Sequence, residues 1–235
     1  PSGTQLLTVN PAADITVAAT KTTTISRTST ATSTLDLQPV ATDYLLSSGK
    51  LDIQTGGTLD ATSTTSATLI TLSGTSGTLW TQTGTFTITS ATSTVAMNPD
   101  AGVTLTSNNV ITFYNLTLNP NISDNRTYAF GTSALAINGD FTINPTATIG
   151  SKTLTVNMAA AITVAATKTT TIQGSGGNNP IGKLDAITTN ILSTGLLNIG
   201  ANGNFTARGS VFTLNGTSGT LFTLNGSGNF VAGTS

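Results

Sequence analysis

Histidine, cysteine and glutamate are all missing from the 235 residues. Their absence removes the usual general acids and bases, the thiol nucleophile, disulfides and thiolate metal sites. Asp, Ser, Thr, Lys and Tyr are the only reactive side chains left. Charge is scarce as well, at 7% of residues against about 25% in ordinary globular proteins. Eight basic and nine acidic residues are scattered singly and sum to −1, so no basic stripe exists to neutralise phosphates and no nucleic-acid partner is expected. No run approaches the ~18 consecutive apolar residues of a transmembrane helix, so no membrane span is expected in this segment. The chain opens on Pro1 without an initiating Met or a signal peptide. It is expected to be cut from a longer protein.

What is present points one way. Hydrophobic residues reach 37% with a slightly positive mean hydropathy, too apolar for a solvated disordered chain. Roughly a fifth of the residues are threonine, which favours the pleated surface, while Asn and Gly supply turns. Strong helix formers are few. The chain reads as all-β.

Its organising feature is a near-copy. Thr8 to Ile25 (TVNPAADITVAATKTTTI) recurs as Thr155 to Ile172 (TVNMAAAITVAATKTTTI), an offset of 155 − 8 = 147, with changes only at Pro11/Met158 and Asp14/Ala161. Leu45 to Ala61 parallels Ile191 to Ala207, and Leu69 to Ser93 parallels Val211 to Ser235. Residues 1–7 therefore read as the end of a preceding repeat unit, 8–154 as one complete unit, and 155–235 as a partial second unit continuous with the first. Short strands with period-2 alternation follow one another throughout. Each offers two inward residues: Leu35 and Leu37, Leu51 and Ile53, Phe86 and Ile88, Val103 and Leu105, Leu116 and Leu118, Phe141 and Ile143.

No linker separates the copies, which argues against two bodies and for a solenoid whose coils contact only their neighbours. The expected architecture is a right-handed parallel β-helix (a β-solenoid) of roughly ten coils, at about 20–25 residues per coil and ~4.8 Å per rung. Duplicated stretches are expected to take equivalent rungs. Tandem β-sandwich domains are the alternative.

Thr112-Phe113-Tyr114-Asn115-Leu116-Thr117-Leu118-Asn119 and Asn138-Gly139-Asp140-Phe141-Thr142-Ile143-Asn144 resemble a "TFYNLTIN … GDFTIN" pattern of large repetitive bacterial surface proteins. Those proteins have β-helical passengers like the filamentous-haemagglutinin and autotransporter adhesins. The match covers about 35 residues and carries packing and turns, not chemistry. The resemblance implies an extracellular or cell-surface location and a non-catalytic structural or adhesive role. Flanking copies of the repeat, or like subunits in a fibre, would be the partners.

Candidate sites are few. Nine Asp are spread one per segment, and only Asp36 and Asp60 are placed for stacked coils to bring them together; turn formation is the plainer role. No metal or cofactor is expected, because no glycine- and aspartate-rich calcium nonapeptide occurs. Lys21 and Lys168 share one slot of the repeat and read as solubilising charges. Trp80 and Phe222 share another, and the apolar-for-apolar exchange marks it as a core slot. Sequons stand at Asn115, Asn121, Asn125, Asn204, Asn215 and Asn225. The sharpest surface feature is threonine alternation. Thr81, Thr83, Thr85, Thr87 and Thr89 are expected along one strand, and Thr167, Thr169 and Thr171 along another. Such Thr-x-Thr rows resemble the surfaces of ice-binding solenoids, which makes ice or a surface polysaccharide the alternative ligand.

Overall fold

A strand with apolar residues at every second position buries one side only, so it needs a cover for that side and water on the other. In the computed structural model this is met by winding. The structure describes residues 6–9, 13–27, 32–37, 44–62, 67–88, 93–131, 133–186, 192–208 and 210–232. Among them there is no helix, and every strand pairing is parallel. The chain is a parallel β-solenoid, and tandem sandwiches, which need antiparallel pairs, are not what it forms.

Three strands make a coil. Coil 1 holds β1 (Leu6–Val9), β2 (Ile15–Thr16) and β3 (Thr22–Ile25). Coil 2 holds β4 (Thr32–Asp36), β5 (Tyr44–Ser48) and β6 (Lys50–Ile53). In coil 3 these become β7 (Gly57–Asp60), β8 (Thr68–Leu72) and β9 (Gly77–Gln82), and in coil 4 β10 (Thr85–Thr87), β11 (Thr94–Met97) and β12 (Val103–Ser107). Coils 5 and 6 add a short corner strand each. Coil 5 runs β13 (Ile111–Phe113), β14 (Asn115–Leu118), β15 (Asn121–Ile122) and β16 (Arg126–Phe130). Coil 6 runs β17 (Leu135–Ile137), β18 (Phe141–Ile143), β19 (Thr146–Ala147) and β20 (Thr153–Met158). Coil 7 has β21 (Ile162–Val164), β22 (Thr169–Ile172) and β23 (Ile181–Ala186). Coil 8 has β24 (Leu192–Thr194), β25 (Leu196–Ile199) and β26 (Gly203–Ala207), and coil 9 ends with β27 (Phe212–Leu214), β28 (Phe222–Leu224) and β29 (Asn229–Ala232).

Three faces result. The first is the sheet β1-β4-β7-β10, continued through a β10–β13 contact by β13-β17-β21-β24-β27; the second and third are nine-stranded sheets from β2 to β28 and from β3 to β29. Among the described residues nine rungs stand where roughly ten were expected. Thr8, Thr34, Thr58 and Thr85 lie one above another, so the first three coils take 24 to 27 residues each on this face.

The core is a set of columns. On the second face Leu46, Ile70, Val95, Leu116 and Phe141 are in register and fully buried. Each such side chain contributes about 1.5–3 kcal/mol of transfer free energy. The inward pairs read from the alternation, from Leu51/Ile53 to Phe141/Ile143, are buried or half-buried as expected. Trp80 is 0% exposed and meets Phe86 and Phe113 edge-on at 5.0 and 5.2 Å, and its indole N–H donates to Gln82 Oε1. The corner after the second face is set by proline in three successive coils: Asn98-Pro99, Asn119-Pro120 and Asn144-Pro145. The N–H groups of Asn98 and Asn144 still bond the rung below, at Leu72 O and Leu118 O. The proline that follows has no N–H to continue the ladder.

The copies do not take equivalent rungs. Thr8–Ile25 forms β1, β2 and β3 on faces one, two and three, whereas Thr155–Ile172 forms β20, β21 and β22 on faces three, one and two. The other duplicated stretches move the same way: β5, β6 and β7 correspond to β24, β25 and β26, and β8, β9 and β10 to β27, β28 and β29. From the first face of coil 1 to the third face of coil 6 is five and two-thirds turns, so the second copy is set back by one face. The faces are interchangeable because each presents the same demand, two inward apolar residues and a turn.

Candidate functional site

The Thr81–Thr89 alternation does not run along one strand. Thr81 is on β9 of the third face, paired with Asp52 and Thr106. The chain then turns: Thr83 N and Gly84 N both donate to Ile53 O at 2.8 Å. Thr85 and Thr87 lie beyond the corner on β10, paired with Thr58 and Asp60. Thr89 lies outside the described residues. The row is divided between two faces because Thr83-Gly84 is a turn whose composition does not differ from the strands beside it. In the other row, Thr167 is an exposed turn residue, and only Thr169 and Thr171 share a strand.

A hydroxyl column runs across the strands instead. On the second face the outward residues in register are Thr16, Ser47, Thr71, Ala96, Thr117, Thr142, Thr171, Asn198 and Thr223. Two residues earlier the same strands carry Leu69, Thr94, Asn115, Thr169 and Leu196, so a true Thr-x-Thr occurs on this face at Thr169/Thr171 alone among the described rungs. The column escapes sequence inspection because its members are 21 to 31 residues apart. The available signal is a threonine just before the last apolar residue of a strand, as in Thr117-Leu118, Thr142-Ile143 and Thr171-Ile172.

The acidic groups are absorbed by the scaffold. Asp36 and Asp60 stack directly on the first face, as the sequence allowed, and Asp60 Oδ1 accepts from Thr62 N. Asp140 Oδ1 accepts from Thr169 N on the next rung, and Asn115 Oδ1, on the rung before, accepts from Asp140 N. Asp100 accepts from Arg126 Nε at 2.8 Å and from the Ser123 hydroxyl and N–H. Partial burial raises the Asp100 carboxyl, but these hydrogen bonds outweigh it and hold it below its ordinary value. Asp185 is 4% exposed, accepting both Arg208 Nε and the second guanidinium nitrogen at 2.8 and 2.9 Å, with Lys183 Nζ 2.9 Å away. Burial pushes it up, and the two cations together bring it down further than that. Burial also pushes up the phenol of Tyr128, which donates to Pro99 O. Asp43 lies outside the described residues. Among the described residues no three Asp gather as a metal site.

The remaining candidates are structural by their contacts. Lys21 N and Lys168 N close the same turn onto Ala18 O and Ala165 O, and Lys168 Nζ sits 5.6 Å from the Tyr114 ring centroid. The sequon residues Asn121 and Asn125 bridge rungs, accepting from the Thr146 hydroxyl and Thr153 N. Two shallow grooves are open to solvent. One of about 280 Å³ follows Thr23–Ser26 and Ser33–Leu35, and one of about 180 Å³ is lined by Thr81, Gln82, Thr83, Thr106, Ser107 and Asn108. No charged side chain lines either. No helix among the described residues is long and apolar enough to cross a membrane.

The chain matches no protein-family model, and no curated protein or solved structure is similar to it. The fold therefore stands on its own strand pairing.

Proposed function

We propose that this chain is a non-catalytic structural segment of a large repetitive extracellular or cell-surface protein. The observation that carries the reading is the fate of the polar groups. Asp100, Asp140 and Asp185 bond neighbouring rungs or cations, and the grooves are lined by neutral residues. A site for acid–base work needs carboxylates left free to exchange a proton with a substrate. Each duplicated stretch also serves on two different faces, which suits a spacer and would scramble a pocket. The surface-adhesin resemblance of residues 109–144 supports the location. Immunogold labelling of intact source cells with antibody to the chain tests it: label on the outer surface is expected, and label confined to the interior overturns it.

A second reading, ice or polysaccharide binding, is favoured by the second-face threonine column. Rungs ~4.8 Å apart would present hydroxyls and methyls at a regular interval. Thermal hysteresis, or retention on a glycan column, that is lost in T117K/T142K would support it. Neither property in the wild-type chain would remove it.

A further inference from the structure

The third face carries a polar interruption in an apolar column. Ile25, Ile53, Gln82 and Ser107 stand in register on β3, β6, β9 and β12. Ile25 and Ile53 are core residues, and the copy of Gln82 in the second unit is Leu224. A bulge makes the exception. The pairing of β9 with β12 slips by one residue between Thr78 and Trp80, so Leu79 and Trp80 both bury and the rest of the strand changes sides. Gln82, which plain alternation from Leu79 would turn outward, goes inward and is 5% exposed. Its amide is held one way round. The Trp80 indole can only donate, so the oxygen of Gln82 is the end turned to it. The amide nitrogen is left with no partner among the described residues, yet it is not sealed from solvent.

The opening there is the groove of about 180 Å³ lined by Thr81, Gln82, Thr83, Thr106, Ser107 and Asn108. Thr81 and Thr106 are in register on its two rungs, and Asn108 N donates to Gln82 O at the corner. The Thr81 and Thr106 hydroxyls and the Asn108 side-chain amide bond nothing else among the described residues. Coils 2 and 5 flank the groove, so it is internal to the solenoid. We infer that it binds one neutral sugar unit of a glycan. Gln82 Nε2 donates to a sugar oxygen, and Thr81, Thr106 and Asn108 pair the hydroxyls. The space equals about six waters, enough for a single sugar ring. An ionic ligand would shed its water with no counter-charge to meet it, and an apolar one would strand the Gln82 amide. The site needs neither the structural reading nor the second-face threonine column.

NMR titration of the isotope-labelled 235-residue chain with glucose, galactose, mannose and N-acetylglucosamine in turn tests the assignment. At least one sugar should shift, saturably, the Trp80 indole and Gln82 side-chain signals and the backbone amides of Thr81–Thr83 and Thr106–Asn108. T106V, outside the core, should weaken that binding about fivefold, the worth of one neutral hydrogen bond. W80F/Q82L installs the pair that the chain already carries at Phe222 and Leu224, so it should keep the wild-type circular-dichroism spectrum and lose the response. T117K/T142K should bind as the wild type does. No saturable shift with any of these sugars overturns the inference. So does a response that persists in W80F/Q82L, or one that glycerol reproduces at equal concentration, which would mark a groove open to any small polyol. None of these outcomes moves the surface label, so the two proposals fail separately.

Discussion

Thr170 donates its hydroxyl proton to Thr194 Oγ1 across 2.9 Å inside the solenoid, and Thr194 passes its own to Leu196 O at 3.0 Å. The first copy builds the same relay one face away: the Thr23 and Ser48 hydroxyls are 2.8 Å apart, and Ser48 donates to Lys50 O at 2.7 Å. Thr170, Thr194 and Ser48 are all 0% exposed, so a hydroxyl without its partner has no water to turn to. T194V keeps the shape and removes the relay, leaving the Leu196 carbonyl and the Thr170 hydroxyl each short of a bond. The expected loss is about 1–3 kcal/mol. Amide exchange should speed up first in β22 and β24, with coils 1 to 3 unaffected, because coils contact only their neighbours. Uniform acceleration along the chain would refute the relay as a local tie.

Gly195 and Gly49 hold the same place in the two copies. A Cβ on Gly195 would strike the Ala166 and Lys168 carbonyl oxygens, and one on Gly49 those of Ala19 and Lys21. The obstacle is backbone in each case, which cannot swing aside as a side chain would. G195A should therefore destabilise by about 1–3 kcal/mol, an overpacking cost, and G49A by a similar amount. Gly177, with nothing within 4 Å of its Cβ position, is the control: G177A should be near neutral in urea melts.

Much of this was legible in the chain. Leu116/Leu118 and Phe141/Ile143 announce inward pairs by alternation, and their burial follows. Asp36 over Asp60 was foreseeable once coils were assumed. What the sequence hides is the match between rungs. Thr169-Thr170-Thr171 offers no contrast of in and out, and only the neighbouring Phe141 and Leu197 make Thr170 the buried member. The Thr81–Thr89 row looked continuous because a turn at Thr83-Gly84 uses the same residues as a strand. The one-face displacement of the second copy needed a count of strands within 147 residues, which uneven coil lengths conceal.

Asp185 makes the solenoid acid-sensitive in a defined sense. Its carboxyl is held below the ordinary 3.8 by Lys183 and Arg208 in the folded chain, so the folded state binds fewer protons than the unfolded one through that range. The stabilisation is complete above the unfolded value and is lost as pH falls through the lowered folded value. D185N should flatten the decline of stability below about pH 4, where unperturbed Asp titrates, and cost about 1–3 kcal/mol at neutral pH by leaving two cations without their anion. Urea midpoints at pH 7 and pH 3 read both effects. An unchanged difference between the two pH values would exclude Asp185 as a source of the acid dependence.

Trp80 and Phe222 occupy one slot of the repeat in two surroundings, which makes them a measure of what a covering coil contributes. W80A empties the centre of the Trp80, Phe86 and Phe113 cluster under a complete coil and should cost about 3–5 kcal/mol. Phe222, 39% exposed and touching Phe230 at 5.9 Å, has part of its surface in water already. F222A should cost less than half as much, since the transfer term scales with area removed from water. Equal costs for the two variants in urea melts would mean that the covering coil contributes nothing to this slot.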